Sequence, residues 1–133
     1  MKRIFADTFY FLALLNPKDK ARARALAHTA SFQGEMVTTA WVWTELGDAL
    51  SDPANRMEFI STLKDLEANP QIRIVAAADA LFQDGVKLFA ARPDKKWSLT
   101  DCISFVVMTR EGITEALTGD HHFEQAGFLA YLK

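Results

Sequence analysis

Residues 4–15, Ile-Phe-Ala-Asp-Thr-Phe-Tyr-Phe-Leu-Ala-Leu-Leu, are the stretch on which the prediction of the fold depends. Its first three residues are apolar and predict a short buried strand over 4–6. Residues 8–15 predict a short helix, which Asn16-Pro17 ends because proline disfavours a helical conformation in the residue before it. Asp7 therefore stands where a strand gives way to a helix, which is how a βαβ unit begins.

The same alternation continues along the chain. Further strands are predicted over 36–39, 72–75 and 113–117, with a possible edge strand over 128–132 after a loop. Further helices are predicted over 18–32, 41–50, 53–68, 78–91 and from Ser98 to about 110. Asp52 is the expected N-cap of the 53–68 helix, and Ser98 with Asp101 is placed to form a capping box. Alternating strands and helices predict a parallel sheet with helices on both faces.

Four acidic residues lie near the ends of these elements: Asp7, Glu45, Asp101 and Asp120. In a parallel sheet the carboxyl ends of the strands share one edge, so the acids after strands should meet there, with Glu45 reaching them from a helix. Each acid alone has an ordinary explanation as a helix cap, a turn residue or a solvated side chain. Together they repel one another, and hard ions such as Mg²⁺ or Mn²⁺ bridge carboxylates to phosphate. The set predicts metal-assisted chemistry on a phosphate ester.

Composition restricts the class of protein further. The chain has 133 residues, half of them apolar, and a net charge of −2, which is typical of a folded globular domain and not of a strongly basic nucleic-acid binder. Two basic clusters are either solvated surface or phosphate contacts; they are Lys18, Lys20, Arg22 and Arg24, and Arg92, Lys95 and Lys96. Cys102 is the single cysteine, which excludes an internal disulfide, and it is expected to be a small buried residue.

No secretory signal is evident, and the apolar stretch 9–15 is too short to cross a bilayer. A soluble cytoplasmic protein with one domain over 1–133 and no membrane association is therefore the expectation.

Four segments, taken in order, resemble those of the PIN-domain family, and within it the VapC-like toxin ribonucleases of toxin–antitoxin pairs. They are Ile4 to Thr8, Thr44-Glu45-Leu46, Leu99 to Cys102, and Leu117-Thr118-Gly119-Asp120-His121-His122-Phe123. The resemblance covers essentially the whole chain and implies a three-layer α/β/α sandwich around a mainly parallel sheet. It also implies a metal site of Asp7, Glu45, Asp101 and Asp120, with Thr118 as a supporting hydroxyl.

By the same resemblance the activity is endonucleolytic cleavage of RNA, the assembly is a homodimer, and the partner is a small antitoxin that competes for the carboxylates. The hypothesis is that the acids hold one or two Mg²⁺ or Mn²⁺ ions, which activate water and stabilise charge during phosphodiester hydrolysis. No protein nucleophile is needed.

Some residues keep two interpretations. His121 and His122 are surface residues, phosphate contacts or softer metal ligands. Trp43 stacks on a base, meets a partner or belongs to the core. The segments 9–12 and 41–43 are partner surfaces or core, and Asp48 extends the acidic site or is solvated.

Alternative functions differ in what they require of the site. A haloacid dehalogenase-type phosphatase needs an acid where Phe9 stands, and a receiver domain needs one where Ala6 stands, so both are disfavoured. A DNA-directed nuclease with the same metal site stays open. So does a non-catalytic PIN-like module that binds RNA or a partner, although the presence of all four acids favours catalysis.

Overall fold

A computed structural model describes residues 2–133, and in it five short strands form one sheet. The strands are β1 Arg3–Ala6, β2 Glu35–Thr39, β3 Ile72–Val75, β4 Glu115–Leu117 and β5 Leu129–Ala130. Their order across the sheet is β3-β2-β1-β4-β5, and every pair is parallel. The predicted mainly parallel sheet is therefore confirmed, and the edge strand predicted over 128–132 is present as the shorter β5.

Seven helices connect the strands of the described chain. They are α1 Thr8–Leu15, α2 Arg22–Ser31, α3 Ala40–Ala49, α4 Arg56–Ala68, α5 Asp79–Ala91, α6 Leu99–Glu111 and α7 His121–Gln125. Helices α1–α4 lie between strands that advance in one direction across the sheet, and α5–α7 lie on the return. Because such crossovers are right-handed, the two groups cover opposite faces and give the expected three-layer α/β/α sandwich.

The strand order reverses at β1, since the chain moves from β1 to β2 and β3 and later returns to β4 on the other side of β1. Ligands of open α/β sheets bind beyond the carboxyl ends of the strands at such a point. Asp7 follows β1 and the segment Thr118 to Asp120 follows β4, so both lie where this rule places a site.

Aromatic side chains fill the core on both faces of the sheet. On one face the ring centroid of Phe105 lies 4.9 Å from that of Phe123 and 5.0 Å from that of Trp97. On the other face the ring of Phe11 lies 4.8 Å from that of Trp43. Edge-to-face geometry of this kind adds to the stabilisation from burial alone. Among residues 2–133, no helix is both long enough and apolar enough to cross a membrane.

Two helix starts were predicted too early. Helix α2 begins at Arg22 and not at 18, because the side chain of Asp19 accepts a hydrogen bond from Ala21 N and holds a turn there. Helix α4 begins at Arg56, with Asn55 as its N-cap. The N-cap prediction for Asp52 is wrong, since Asn55 N donates to the carbonyl of Asp52 in a separate turn.

Two further boundaries differ near the carboxyl end of the chain. Strand β4 begins at Glu115, later than predicted. The predicted loop after it contains α7, which has only five residues and has Asp120 as its N-cap. A helix this short shows no apolar periodicity, so the sequence pattern gives no signal for it.

Candidate metal centre

The four predicted acids line one open cavity of about 450 Å³. Asp7 and Asp120 follow the neighbouring strands β1 and β4, Asp101 lies in the first turn of α6, and Glu45 lies on α3. The remaining lining residues are Thr8, Phe9, Leu12, Lys96, Ser98 and His122. The structure thus brings together acids that are far apart in the sequence; their role in holding a metal stays a prediction.

Asp7 is the most enclosed of the four, with 5% of its surface exposed. It occupies the N-cap position of α1, yet its side chain makes no capping hydrogen bond. Instead Thr118 Oγ1 donates to Asp7 Oδ2 at 2.9 Å and accepts from Asp120 N at 3.1 Å. The hydroxyl expected to support the acids therefore joins the end of β4 to the acid that follows β1.

Burial raises the pKa of Asp7 from its ordinary 3.8 to about 7. The hydrogen bond from Thr118 lowers that pKa in part, and the nearby charge of Asp101 raises it. A carboxylate in such surroundings is costly to ionise, and a nearby positive charge restores the ionised form. A bound cation would therefore stabilise the ionised form of Asp7.

Asp101 serves the helix and the cavity at once. Ser98 Oγ accepts a hydrogen bond from Asp101 N at 3.0 Å, and Asp101 Oδ2 accepts one from Ser98 N at 3.2 Å, so the predicted capping box is present. Burial raises the pKa of Asp101, while the hydrogen bonds from Ser98 and His122 lower it. The capping box fixes the carboxylate at the rim of the cavity.

His122 makes a contact that the sequence did not predict. Its Nδ1 lies 3.1 Å from Asp101 Oδ2 and 3.4 Å from Asp120 Oδ1, so the ring bridges two acids. His122 N also donates to Asp120 Oδ1 at 2.9 Å. The ligand atoms of Asp120, His121 and His122 lie within 4.8 Å of one another, so the two histidines stand beside the acids as possible ligands.

Glu45 lies on the exposed side of a helix whose other side is buried. Its own side chain is exposed, although apolar residues surround it in the sequence. Val42 and Leu46 are buried on the core side of α3, whereas Glu45 lies at the solvent side and lines the cavity. Asp48 is also exposed and is not among the residues that line the cavity.

Several residues whose position the sequence left open belong to the core. Trp43 is 4% exposed and packs between Phe11 and Phe59, so it is a core residue and not a platform for a base. Cys102 is fully buried, as expected, and burial raises the pKa of its thiol. Of the segment 9–12, Tyr10 and Phe11 are buried, while the other two residues line the cavity.

The residues present fit a hard divalent cation. Among residues 2–133, none of the four acids forms a salt bridge with Lys or Arg, and the ion-pair contacts of Asp101 and Asp120 are to histidine rings. Carboxylate oxygens are the ligands that Mg²⁺ and Mn²⁺ prefer. Uncompensated carboxylates around a partly buried cavity are costly without such an ion.

Sequence reasoning gave Phe9, Leu12 and Lys96 no place in the cavity. Phe9 belonged to a segment assigned to core or partner contact, and Lys96 to a basic cluster with no assigned position. The side chain of Phe9 also fills the space beside Gly119, where an added Cβ would lie 2.4 Å from its ring.

The fold and the cavity define a class: an α/β/α sandwich with a carboxylate site at the switch point of a parallel sheet. Residues 4–129 match the family model described as the PIN domain. The chain therefore belongs to the PIN-domain family, as its sequence motifs predicted.

Solved structures agree with this assignment at the level of the fold. The chain is similar to VapC20 of Mycobacterium tuberculosis, described as a sarcin–ricin loop cleaving toxin, with a TM-score of 0.88 and 24% identity over 98% of this chain and 99% of that one. It is also similar to FitAcB from Neisseria gonorrhoeae, with a TM-score of 0.67 and 18% identity over 96% of both chains.

A toxin–antitoxin complex from Klebsiella pneumoniae matches as well, with a TM-score of 0.63 and 14% identity over 89% of this chain and 87% of that one. The comparison with curated proteins gave no significant match.

Proposed function

We propose that this protein is a divalent-metal-dependent endoribonuclease that hydrolyses RNA phosphodiester bonds and acts as the toxin of a toxin–antitoxin pair. The observation that carries the proposal is the buried Asp7, whose raised pKa and acidic neighbours create a need for a cation in the cavity. Membership of the PIN-domain family and the likeness to VapC20 support it.

In this proposal Asp7, Glu45, Asp101 and Asp120 hold one or two Mg²⁺ or Mn²⁺ ions. The ion supplies Lewis-acid chemistry, since it makes water more acidic and stabilises negative charge on phosphate oxygens.

The protein contributes rigid placement of the acids. Thr118 holds Asp7 by a hydrogen bond from its buried hydroxyl, and the Ser98 backbone with the His122 ring holds Asp101. Groups fixed in this way need little reorganisation when the substrate binds.

The hydroxyls of the cavity are committed to other contacts, which supports water as the nucleophile. Ser98 Oγ accepts the capping hydrogen bond from Asp101 N. Thr8 is buried, and its Oγ1 donates to the carbonyl of Val42 at 3.4 Å. Among the described residues, neither hydroxyl donates a hydrogen bond to a carboxylate or a histidine, which is the arrangement that activates a serine or threonine nucleophile.

The partners in the proposal are an RNA substrate, a small antitoxin and a second copy of the chain, acting in the cytoplasm. Support for the antitoxin comes from the similar complex from Klebsiella pneumoniae, which is described as a toxin–antitoxin complex. Support for RNA comes from VapC20, which is described as cleaving the sarcin–ricin loop.

The test is a cleavage assay with structured RNA and a DNA of the same sequence, each with Mn²⁺, with Mg²⁺ and with a chelator. We expect internal cuts in the RNA only when a metal is present, and none from Asp7→Asn. Asp48→Asn is the matched control, because Asp48 is an exposed acid outside the cavity, and it should cut like the wild type.

Each other outcome identifies an alternative. Preferential cutting of DNA would assign a DNA-directed nuclease, and metal binding without any cutting would assign a binding module. Cutting that persists in the chelator and in Asp7→Asn would reject the metal mechanism.

A further inference from the structure

Lys96 is the only Lys or Arg among the residues that line the acidic cavity in the described chain. It is exposed and lies two residues before Ser98, the N-cap of α6. The cavity is otherwise lined by four acids, two apolar side chains, two hydroxyl residues and a histidine. Lys96 therefore places one positive charge beside the acids of this cavity.

The charge of Lys96 is free, unlike that of its basic neighbours. Arg92 Nη2 and Lys95 Nζ lie 3.0 and 3.9 Å from Asp94 Oδ2, so both are ion-paired on the surface. Within residues 2–133, Lys96 forms no salt bridge, although it shares the cavity with four carboxylates. Its ammonium is therefore available to a ligand.

The backbone that carries Lys96 is held on its carboxyl side. Trp97 is 6% exposed, its Nε1 donates to Gln125 Oε1 at 3.0 Å, and its ring packs edge-on against Phe105. The guanidinium of Arg92 lies 5.2 Å from the centre of the Trp97 ring. This cation–π contact also holds the start of the same segment. Lys96 thus projects a flexible side chain from a fixed point beside the acids.

We propose that Lys96 is the phosphate-contact residue of the cavity, whose ammonium binds the non-bridging oxygens of an RNA phosphate beside the acids. The proposal rests on the proposed function and identifies a residue that positions its substrate. An acidic cavity repels a polyanion, and one cation at its rim gives the RNA backbone a defined point of attachment. An ammonium on a flexible stem suits this role, because it offers three donors without demanding one geometry.

A contact of this kind acts on the bound substrate as much as on the transition state. Lys96→Ala should therefore raise KM by about tenfold while kcat changes by less than about twofold. Affinity falls as salt rises, so a plot of log affinity against log salt concentration has a negative slope. The loss of one phosphate contact should make this slope shallower by about 0.7 to 0.9.

The experiment compares Lys96→Ala, Lys96→Arg and Lys95→Ala on a structured RNA oligonucleotide with Mn²⁺, at several salt concentrations. Lys95 is the matched control, since it is the adjacent lysine but pairs with Asp94 and is not among the cavity residues. We expect Lys96→Arg to restore KM to within about threefold of the wild type and Lys95→Ala to leave KM and the salt slope unchanged.

Binding of the same RNA is measured in parallel by fluorescence anisotropy, which needs no cleavage. Equal binding and equal KM in Lys96→Ala and wild type would overturn the inference, and so would equal losses in Lys96→Ala and Lys95→Ala. A wild type that binds this RNA without cutting it would defeat the proposed nuclease, while the comparison of binding still decides the role of Lys96. A wild type that neither binds nor cuts it would overturn both.

Discussion

At the scale of the residue, Asp7 is a site residue that lowers the stability of the folded protein. Its carboxyl is buried, and the hydroxyl of Thr118 donates a hydrogen bond to its Oδ2. Burial raises its pKa to about 7. Between about pH 4 and pH 7 the folded protein therefore keeps a proton on Asp7 that the unfolded chain has released. Ionised Asp7 therefore costs folding free energy unless a cation compensates it.

Asp7→Asn is expected to stabilise the metal-free protein at pH 8 by roughly 1–3 kcal/mol, part of the penalty that a pKa near 7 implies. The folded pKa lies above the unfolded value of 3.8, so the wild type should lose stability relative to the variant as pH rises from about 4 to about 7. Below and above this window the difference should stay constant. Urea unfolding in a chelator at several pH values measures it.

The control for this prediction is the same series with saturating Mn²⁺. A bound ion stabilises the folded wild type, so the advantage of the variant should disappear or reverse. A wild type that is more stable than Asp7→Asn at pH 8 without metal would contradict the buried, uncompensated carboxylate.

At the scale of the element, the first turn of α6 places Asp101 and fixes the start of its helix. The capping box joins Ser98 and Asp101 through two hydrogen bonds, and Gly112 ends the same helix with a φ of 67°, a left-handed conformation that favours glycine. Both ends of α6 are thus specified by residues that a sequence displays. The capping box was predicted for this reason, and its position next to the cavity follows from the fold.

Ser98→Ala is expected to lower the free energy of unfolding by about 1 kcal/mol, because the first turn of α6 loses an acceptor for Asp101 N. The affinity for Mn²⁺ should change by less than about threefold, since Ser98 N still donates to Asp101 Oδ2 and holds the carboxylate. Urea unfolding and calorimetric titration with Mn²⁺ measure the two effects, and Ser98→Thr keeps the hydroxyl as a control. Lost Mn²⁺ affinity with unchanged stability would make the Ser98 hydroxyl part of the metal site.

The predictability of each element follows from how local its signal is. Helix α1 was predicted at its observed bounds, because Asp7 and Asn16-Pro17 mark both of its ends. The start of α4 was misplaced because Asp52-Pro53 is an ordinary helix-start signal that here forms a turn before Asn55. Such a choice depends on tertiary packing, which a local pattern does not contain.

At the scale of the whole molecule, the acids at the two ends of the sheet differ in whether they pair with basic residues. Near the amino ends of the strands, Arg3 and Arg73 pair with Glu111, and Arg73 also reaches Glu35. At the carboxyl ends, the cavity acids have no Lys or Arg partner in the described chain. With a net charge of only −2, the chain is close to neutral overall, so the grouping of unpaired acids in the cavity does not follow from an acidic composition.

The meeting of the acids was predictable from the sequence, while several contacts around them were not. Parallel topology alone brings the residues after β1 and β4 to one edge, so Asp7 and Asp120 were expected to be neighbours. The bridge from His122 to Asp101, the free charge of Lys96 and the exposure of Glu45 depend on side-chain directions. Those directions come from the packing of α3, α6 and α7, which the order of residues does not display.

The most direct measurement of the central claim is anomalous diffraction from crystals of the protein grown or soaked with Mn²⁺. We predict a peak within coordination distance of the carboxylate oxygens of Asp7 and Asp101, with Asp120 or Glu45 completing the site, and its loss in crystals of Asp7→Asn. Peaks confined to His121 and the exposed surface, or an acidic cavity without any peak at saturating Mn²⁺, would contradict a metal centre built by these acids.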